Sequence, residues 1–254
     1  MSSPGQPLVT RSDRDGIAIV ELNRPGQRNS LRYESWTELS DIAAAVSSDR
    51  DVHGVVLAGA GGFFSAGGDL KTGPAHGSGP LSPAARVEHA QRVMERLKAI
   101  PVPVIAAVEG AAVGLGWSLA LSCDLVVAGA DAFFAAPFVA RAVVPDGGLA
   151  WRLTQQLGRH RAGTFLLRGE RLSATAAMDF GLVNEVVGTG SAVARAEEIA
   201  RELARSDPGA IEMTKRLINA SEAAALATFQ PLELALATVA QLRPAAGGAR
   251  ADYT

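Results

Sequence analysis

Apolar positions recur along this chain with two different periods, and the switches between them lay out its elements. Gly16 to Leu22, GIAIVEL, alternates as a strand does, and the turn-forming run Asn23-Arg24-Pro25-Gly26 ends it. From Ser30 to Val46 the apolar residues Leu31, Trp36, Leu39, Ile42, Ala43 and Val46 mostly fall three and four apart, which predicts an amphipathic helix. His53 to Leu57 reads as a short strand running into the glycine-rich stretch AGAGGFFSAGGDL. Further along, the pattern predicts a helix over Ala84 to Ala99 and a fully apolar strand over Val102 to Val108, the signature of a sheet covered on both faces. A helix from Leu115 to Ser122, a strand from Asp124 to Ala128 and an extended piece from Ala132 to Ala135 follow. After Gly147 the chain is nearly all helix, with Gly147 to Leu157, Ser191 to Arg205, Ala210 to Ala220 and Ala223 to Leu242 as segments and Val183 to Val187 as the one later strand. This alternation predicts an α/β architecture, one sheet-based core followed by an alanine-rich helical extension. The apolar faces of that extension could pack on a neighbouring subunit or internally. Between these elements, Lys71 to Pro83, KTGPAHGSGPLSP, has the composition of a mobile surface loop that could act as a lid or entrance.

Composition narrows the function. The 254 residues include 24 basic and 26 acidic side chains, a net charge of -2, which supplies no field for general nucleic-acid or anionic-membrane binding. A single cysteine, Cys123, can form neither an internal disulfide nor a multi-thiolate metal site, and points to a reducing cytoplasm. His53, His76, His89 and His160 are scattered without metal-ligand spacing. The first twenty residues lack the features of a signal peptide, and no apolar run reaches the ~18 residues of a membrane span. The expectation is a cytoplasmic protein.

Two glycine-bearing segments carry candidate chemistry. Gly67 and Gly68 follow a strand, so their backbone N–H groups could face a ligand, or simply form a tight turn. Gly110 to Gly116 opens the helix at Leu115, and a helix N-terminus offers unpaired donors. Together the two segments could form an oxyanion hole for a carbonyl oxygen. The spacing G-x-x-x-G-x-G does not fit a dinucleotide fingerprint, and no Walker lysine is present. Ser118, in Gly116-Trp117-Ser118-Leu119-Ala120, lacks the last glycine of a nucleophile elbow.

The blocks ELNRPGQRNSL (21–31), GVVLAGAGGFFSAGGDL (54–70), PVPVIAAVEGAAVGLGWSLALSCDLVVAGADAFFAAP (101–137) and LGRHRAGTFLLRGERLSATAAMDFGLVNEVV (157–187) resemble the crotonase, or enoyl-CoA hydratase/isomerase, superfamily. The resemblance implies a ClpP-like spiral of ββα units over 1–190, a C-terminal α-helical trimerisation region over 191–254, and a homotrimer or homohexamer. It implies an acyl-CoA thioester substrate and no cofactor or metal beyond the coenzyme A that the substrate carries. The thioester oxygen would be held by the N–H groups of Gly68 and Leu115. Relatives often have glycine at the second position, but the role uses only backbone. The adenine would lie along Ala66 to Leu70, with Arg24, Arg28 or Lys71 near the phosphates.

The two glutamates with which hydratases of this family activate water fall on Ser118 and Phe138, which leaves those residues as part of the substrate site. Neither replaces a carboxylate in acid–base chemistry, so hydratase activity is expected to be weak or absent. A carboxylate does occur at Asp146, in VVPDGGLAW, a context similar to phenylacetate-type enoyl-CoA isomerases. A pocket of Phe133, Phe134, Phe138, Val139 and Val144 around it would raise its pKa and suit it to accept and return a proton. Asp146 could instead cap the helix that begins at Gly147. Glu109, at a strand end, could reach the site or make a structural hydrogen bond. The expected function is an acyl-CoA isomerase that moves a double bond through a thioester enolate. The alternatives are a hydratase with an atypical site, a non-catalytic acyl-CoA-binding protein, and an aspartate-nucleophile hydrolase or dehalogenase.

Overall fold

The computed structural model describes residues 6–69 and 82–242. The expected loop over 71 to 83 falls almost entirely outside them, as do Leu70 and Lys71. The chain opens with a hairpin, β1 (Val9–Arg14) antiparallel to β2 (Ile17–Leu22), turned through Asp15 and Gly16, both with positive φ. Helix α1 (Tyr33–Ser48) leads to β3 (Gly54–Gly59), and α2 (Pro83–Lys98) leads to β4 (Val104–Val108). The succession continues with β5 (Ala111–Val113), α3 (Leu115–Ala120), β6 (Leu125–Gly129), β7 (Phe133–Ala135) and α4 (Leu149–Arg168). It ends with β8 (Leu172–Ser173), α5 (Ala174–Asp179), β9 (Glu185–Val187), α6 (Ala192–Leu203) and α7 (Pro208–Leu242).

Six strands form one sheet in the order β1-β2-β3-β4-β6-β9, parallel except for the opening hairpin. A second sheet of three short strands, β5-β7-β8, stands beside it. Residues of β3 and β4 alternate between the two faces of the large sheet. Val55, Leu57, Val104, Ala106 and Val108 join α1 and α2 in the larger core, whereas Val56, Ala58, Ile105 and Ala107 pack against Ala192, Ala196, Ile199 and Ala200 of α6. The uninterrupted apolar runs of these strands follow from that double cover. Helix α6 therefore closes the second face of the sheet. Glu109 serves this packing: its Oε1 accepts from the N–H of Ala192 at 2.8 Å, at the start of α6, which is the structural option of the two expected for it.

The two helices expected over Ala210 to Ala220 and Ala223 to Leu242 are one helix, α7, which packs along α2. Nothing in the Ala220-Ser221-Glu222 junction forbids helical backbone, and the tertiary contact carries it through. No helix among the described residues is long and apolar enough to cross a membrane.

Candidate active site

The first glycine segment is fixed by a turn upstream of it. Asn29, buried and with φ 52°, accepts from the Arg24 N–H at 2.8 Å and donates to the carbonyls of Ala60 and Phe63. Ser65 is buried too, donating to the Asn29 carbonyl at 2.8 Å and accepting from the Gly67 N–H at 3.1 Å. Segment 65–69 then pairs on both sides. Leu31 donates to the Gly67 carbonyl at 2.8 Å and Asp69 donates to the Leu31 carbonyl at 2.9 Å, a parallel bridge between Leu31 and Gly68. In such a bridge the Gly68 N–H lies outside the ladder, directed away from Leu31. On the opposite side Ser65 donates to Ala111 and accepts from Val113, which places β5 and the start of α3 alongside.

Gly67 is where this close approach demands glycine. Its φ is +86°, and a Cβ there would sit 2.4 Å from the Val113 carbonyl oxygen and 3.3 Å from the Leu115 nitrogen. The two donor-bearing segments are thus in contact. Leu115 is the first residue of α3, so its N–H has no intrahelical acceptor. The Leu115 side chain lies against Gly68, where a Cβ would meet its Cδ1 at 3.4 Å.

Gly68 and Leu115 both line a cavity of about 130 Å³, whose walls include Leu31, Trp36, Val87, Ala90, Phe138 and Val144. Ala66 is part of the same wall, and Asp146 stands in it as well. Asp146 is 8% exposed, and its Oδ1 is sealed from solvent with no hydrogen-bond partner among the described residues. Burial, and then the facing charge of Glu233, push its carboxyl up to about 8.

The cap option for Asp146 is not realised. Gly148 is the residue before α4, no side chain caps that helix, and Gly147 and Gly148 both adopt positive φ, 65° and 76°. A Cβ at Gly147 would lie 2.9 Å from both Met94 Cε and Ser118 Cβ. The Asp-Gly-Gly turn therefore runs tight against α2 and α3, and its left-handed glycines leave the Asp146 side chain in the cavity wall instead of over the helix end.

Several expected site residues lie elsewhere. Ser118 is fully buried and does not line the cavity; its hydroxyl donates to the Asp146 carbonyl at 2.9 Å, a backbone tether. Arg24 is buried, and its Nη1 is taken up by Ser30 and by Asp69 Oδ2 at 2.8 Å, so it braces the loop instead of reaching out to phosphates. Arg28 is exposed, its guanidinium 5.8 Å from the Phe63 ring centre. Of the apolar pocket expected around Asp146, Phe138 and Val144 are in place. Phe134 packs on Trp117 at 5.6 Å, Phe133 lies under Arg171 at 4.5 Å on the opposite face of β7, and Val139, beyond that strand, is half exposed.

The sequence reading missed Arg32, Arg86 and Arg141, all of which line the cavity, and it missed Glu233. Glu233 is 3% exposed on α7, and its carboxylate accepts from the Gly148 N–H at 3.0 Å and from Gln91 Nε2 at 2.9 Å. One signal was available: it is the only charged residue between Glu222 and Arg243 in an otherwise uncharged, alanine- and leucine-rich run. Among the described residues no three His, Cys, Asp or Glu side chains gather as metal ligands would.

Comparison with known proteins places this geometry among relatives. The enoyl-CoA hydratase/isomerase family profile matches residues 12–241. The chain is 34% identical to the 1,2-epoxyphenylacetyl-CoA isomerase of Escherichia coli over 86% of its own length and 84% of the relative's. It is 33% identical to the 2,3-dehydroadipyl-CoA hydratase of the same organism over the same shares. The crystal structure of an enoyl-CoA hydratase from Mycobacterium avium subsp. paratuberculosis superposes with a TM-score of 0.87 at 29% identity, over 99% of this chain and 100% of that one.

Proposed function

The chain belongs to the enoyl-CoA hydratase/isomerase family, and from that premise we propose that it is an acyl-CoA isomerase that moves a carbon–carbon double bond by one-base proton transfer. The observation that carries this reading is Asp146, its Oδ1 buried without a hydrogen-bond partner among the described residues, in the wall of a largely apolar cavity that Gly68 and Leu115 also line. The thioester carbonyl of a 3-enoyl-CoA accepts from those two donors. Ionised Asp146 takes a proton from C2, the electrons delocalise into a dienolate whose oxygen charge the N–H pair stabilises, and Asp146 returns the proton at C4, giving the 2-enoyl-CoA. Protein and proton inventory are unchanged at the end. A carboxyl held near 8 suits both halves of this exchange, since it is neither too weak a base nor too weak an acid.

Similarity to a named isomerase and a named hydratase is almost equal, so the carboxylate inventory is what favours isomerisation. A hydratase reading draws on the nearness of a second carboxylate, Glu233. Against it, Glu233 is not in the cavity wall, and its oxygens are occupied by Gly148 and Gln91. The same proposal extends to assembly. Met213, Leu217, Ile218, Leu236 and Val239 of α7 are more than half exposed, which supports packing against further copies in a homotrimer or homohexamer.

The test is spectroscopic. Incubation with a 3-enoyl-CoA should give a gain of conjugated-thioester absorbance, while crotonyl-CoA at high enzyme concentration should show no loss. Loss with crotonyl-CoA and no gain with the 3-enoyl ester would replace the isomerase with a hydratase.

A further inference from the structure

Building on the proton-transfer role of Asp146, we infer that Glu233 is a positioning residue for that carboxyl, reaching it from the C-terminal helix by holding the Gly147-Gly148 turn. Its two oxygens both lie 3.0 Å from the Gly148 nitrogen, and one of them also accepts from Gln91 Nε2 on α2 at 2.9 Å. The turn so held is the one that follows Asp146. Its left-handed glycines have no side chains to fix them, so the fix comes from outside. Arg152 supplies the second hold, its Nη1 donating to the Gly147 carbonyl at 2.9 Å. One turn thus has its carbonyl tied to a buried cation of α4 and its N–H tied to a buried anion of α7.

Glu233 also acts through charge. Ionised, it faces Asp146 in a dry interior, where a like charge disfavours a second carboxylate. The opposing cation is Arg152, itself in contact with Glu222 of α7. The wall of the same cavity also carries Arg32, Arg86 and Arg141, and Asp69, which is paired with Arg24. Docking of α7 thus acts on the base through Glu233 in two ways, by holding the turn that places it and by adding a like charge to the burial that already raises its proton affinity.

Two substitutions separate these effects. Glu233→Gln keeps an acceptor for the Gly148 N–H and removes the charge. Glu233→Ala removes both. With carboxyl-labelled protein, the Asp146 carbon signal read against pH by NMR should titrate at lower pH in Glu233→Gln than in wild type. Glu233→Ala should lower kcat for isomerisation roughly tenfold to a hundredfold with KM little changed, as a misplaced base does, and Glu233→Gln should restore most of that kcat. An unchanged Asp146 titration in Glu233→Gln together with wild-type kcat in Glu233→Ala would overturn the inference. The titration needs no turnover, so it decides the role of Glu233 even if Asp146→Asn retains full activity, the result by which the isomerase reading itself would fail.

Discussion

Replacing Asp146 with asparagine should change how the stability of this protein depends on pH. In the fold the carboxyl keeps its proton up to about pH 8, whereas in the unfolded chain it ionises near 3.8. Unfolding between those values releases a proton, so stability falls as pH rises through the window and levels off above about 8. Each unit corresponds to about 1.4 kcal/mol. From pH 5.5 to 8.5 the ionising carboxyl should thus cost the wild type on the order of 3 kcal/mol. Asparagine has the same shape and no such ionisation. Urea denaturation of both proteins at pH 5.5 and 8.5, at one fixed protein concentration so that any assembly contributes equally, reads the effect as a difference of differences. Asp146→Asn should gain about 3 kcal/mol relative to wild type over that interval. A wild-type-minus-variant difference that stays constant within about 0.5 kcal/mol would refute the argument, since a carboxyl titrating at its ordinary pKa gives no slope there.

Other expectations follow from the same geometry. Gly67→Ala would push a Cβ to 2.4 Å from the Val113 carbonyl, in a backbone conformation that costs alanine roughly 1–2 kcal/mol by itself; thermal melts should show the loss, and isomerisation should fall with it as the two donor segments separate. Ser118→Ala removes one buried hydrogen bond to the Asp146 carbonyl and should cost about 1 kcal/mol in denaturant titrations while leaving KM for the acyl-CoA unchanged. Arg24→Met leaves Asp69 without its buried guanidinium and should destabilise by about 3 kcal/mol, with a weakened site from loosening of segment 65–69; if Arg24 instead bound phosphates, stability would hold and only the coenzyme A contribution to KM would change.

What the sequence revealed and what it concealed divide along physical lines. The amphipathic spacing from Leu31 to Val46 and the apolar run into Val108 found α1 and β4, because burial on one face or on two imprints itself directly on residue order. β1 was overlooked. VTRSDR buries only Val9 and forms through its ladder with β2, although Asp15-Gly16 is the dipeptide that signals such a hairpin. Gly68 and Leu115, singled out by glycine placement and family resemblance, both line the cavity. Arg24 and Ser118 illustrate the opposite case: position near a site does not say where a side chain goes, and the Arg24 guanidinium is claimed by Asp69 and the Ser118 hydroxyl by the Asp146 carbonyl. Glu233 lies 87 residues from Asp146 in sequence, and only the packing of α7 along α2 brings it to the turn. Local pattern holds no record of that meeting beyond one isolated charge.

The central claim is that Asp146 carries a proton on and off an enolised thioester. Deuterium incorporation from heavy water into a 3-enoyl-CoA, followed by NMR for wild type and for Asp146→Asn, tests it most directly. Label at the carbon next to the thioester together with double-bond migration in the wild type, both lost in the variant while ester binding persists, is the predicted result. Binding by both proteins with exchange in neither would contradict it.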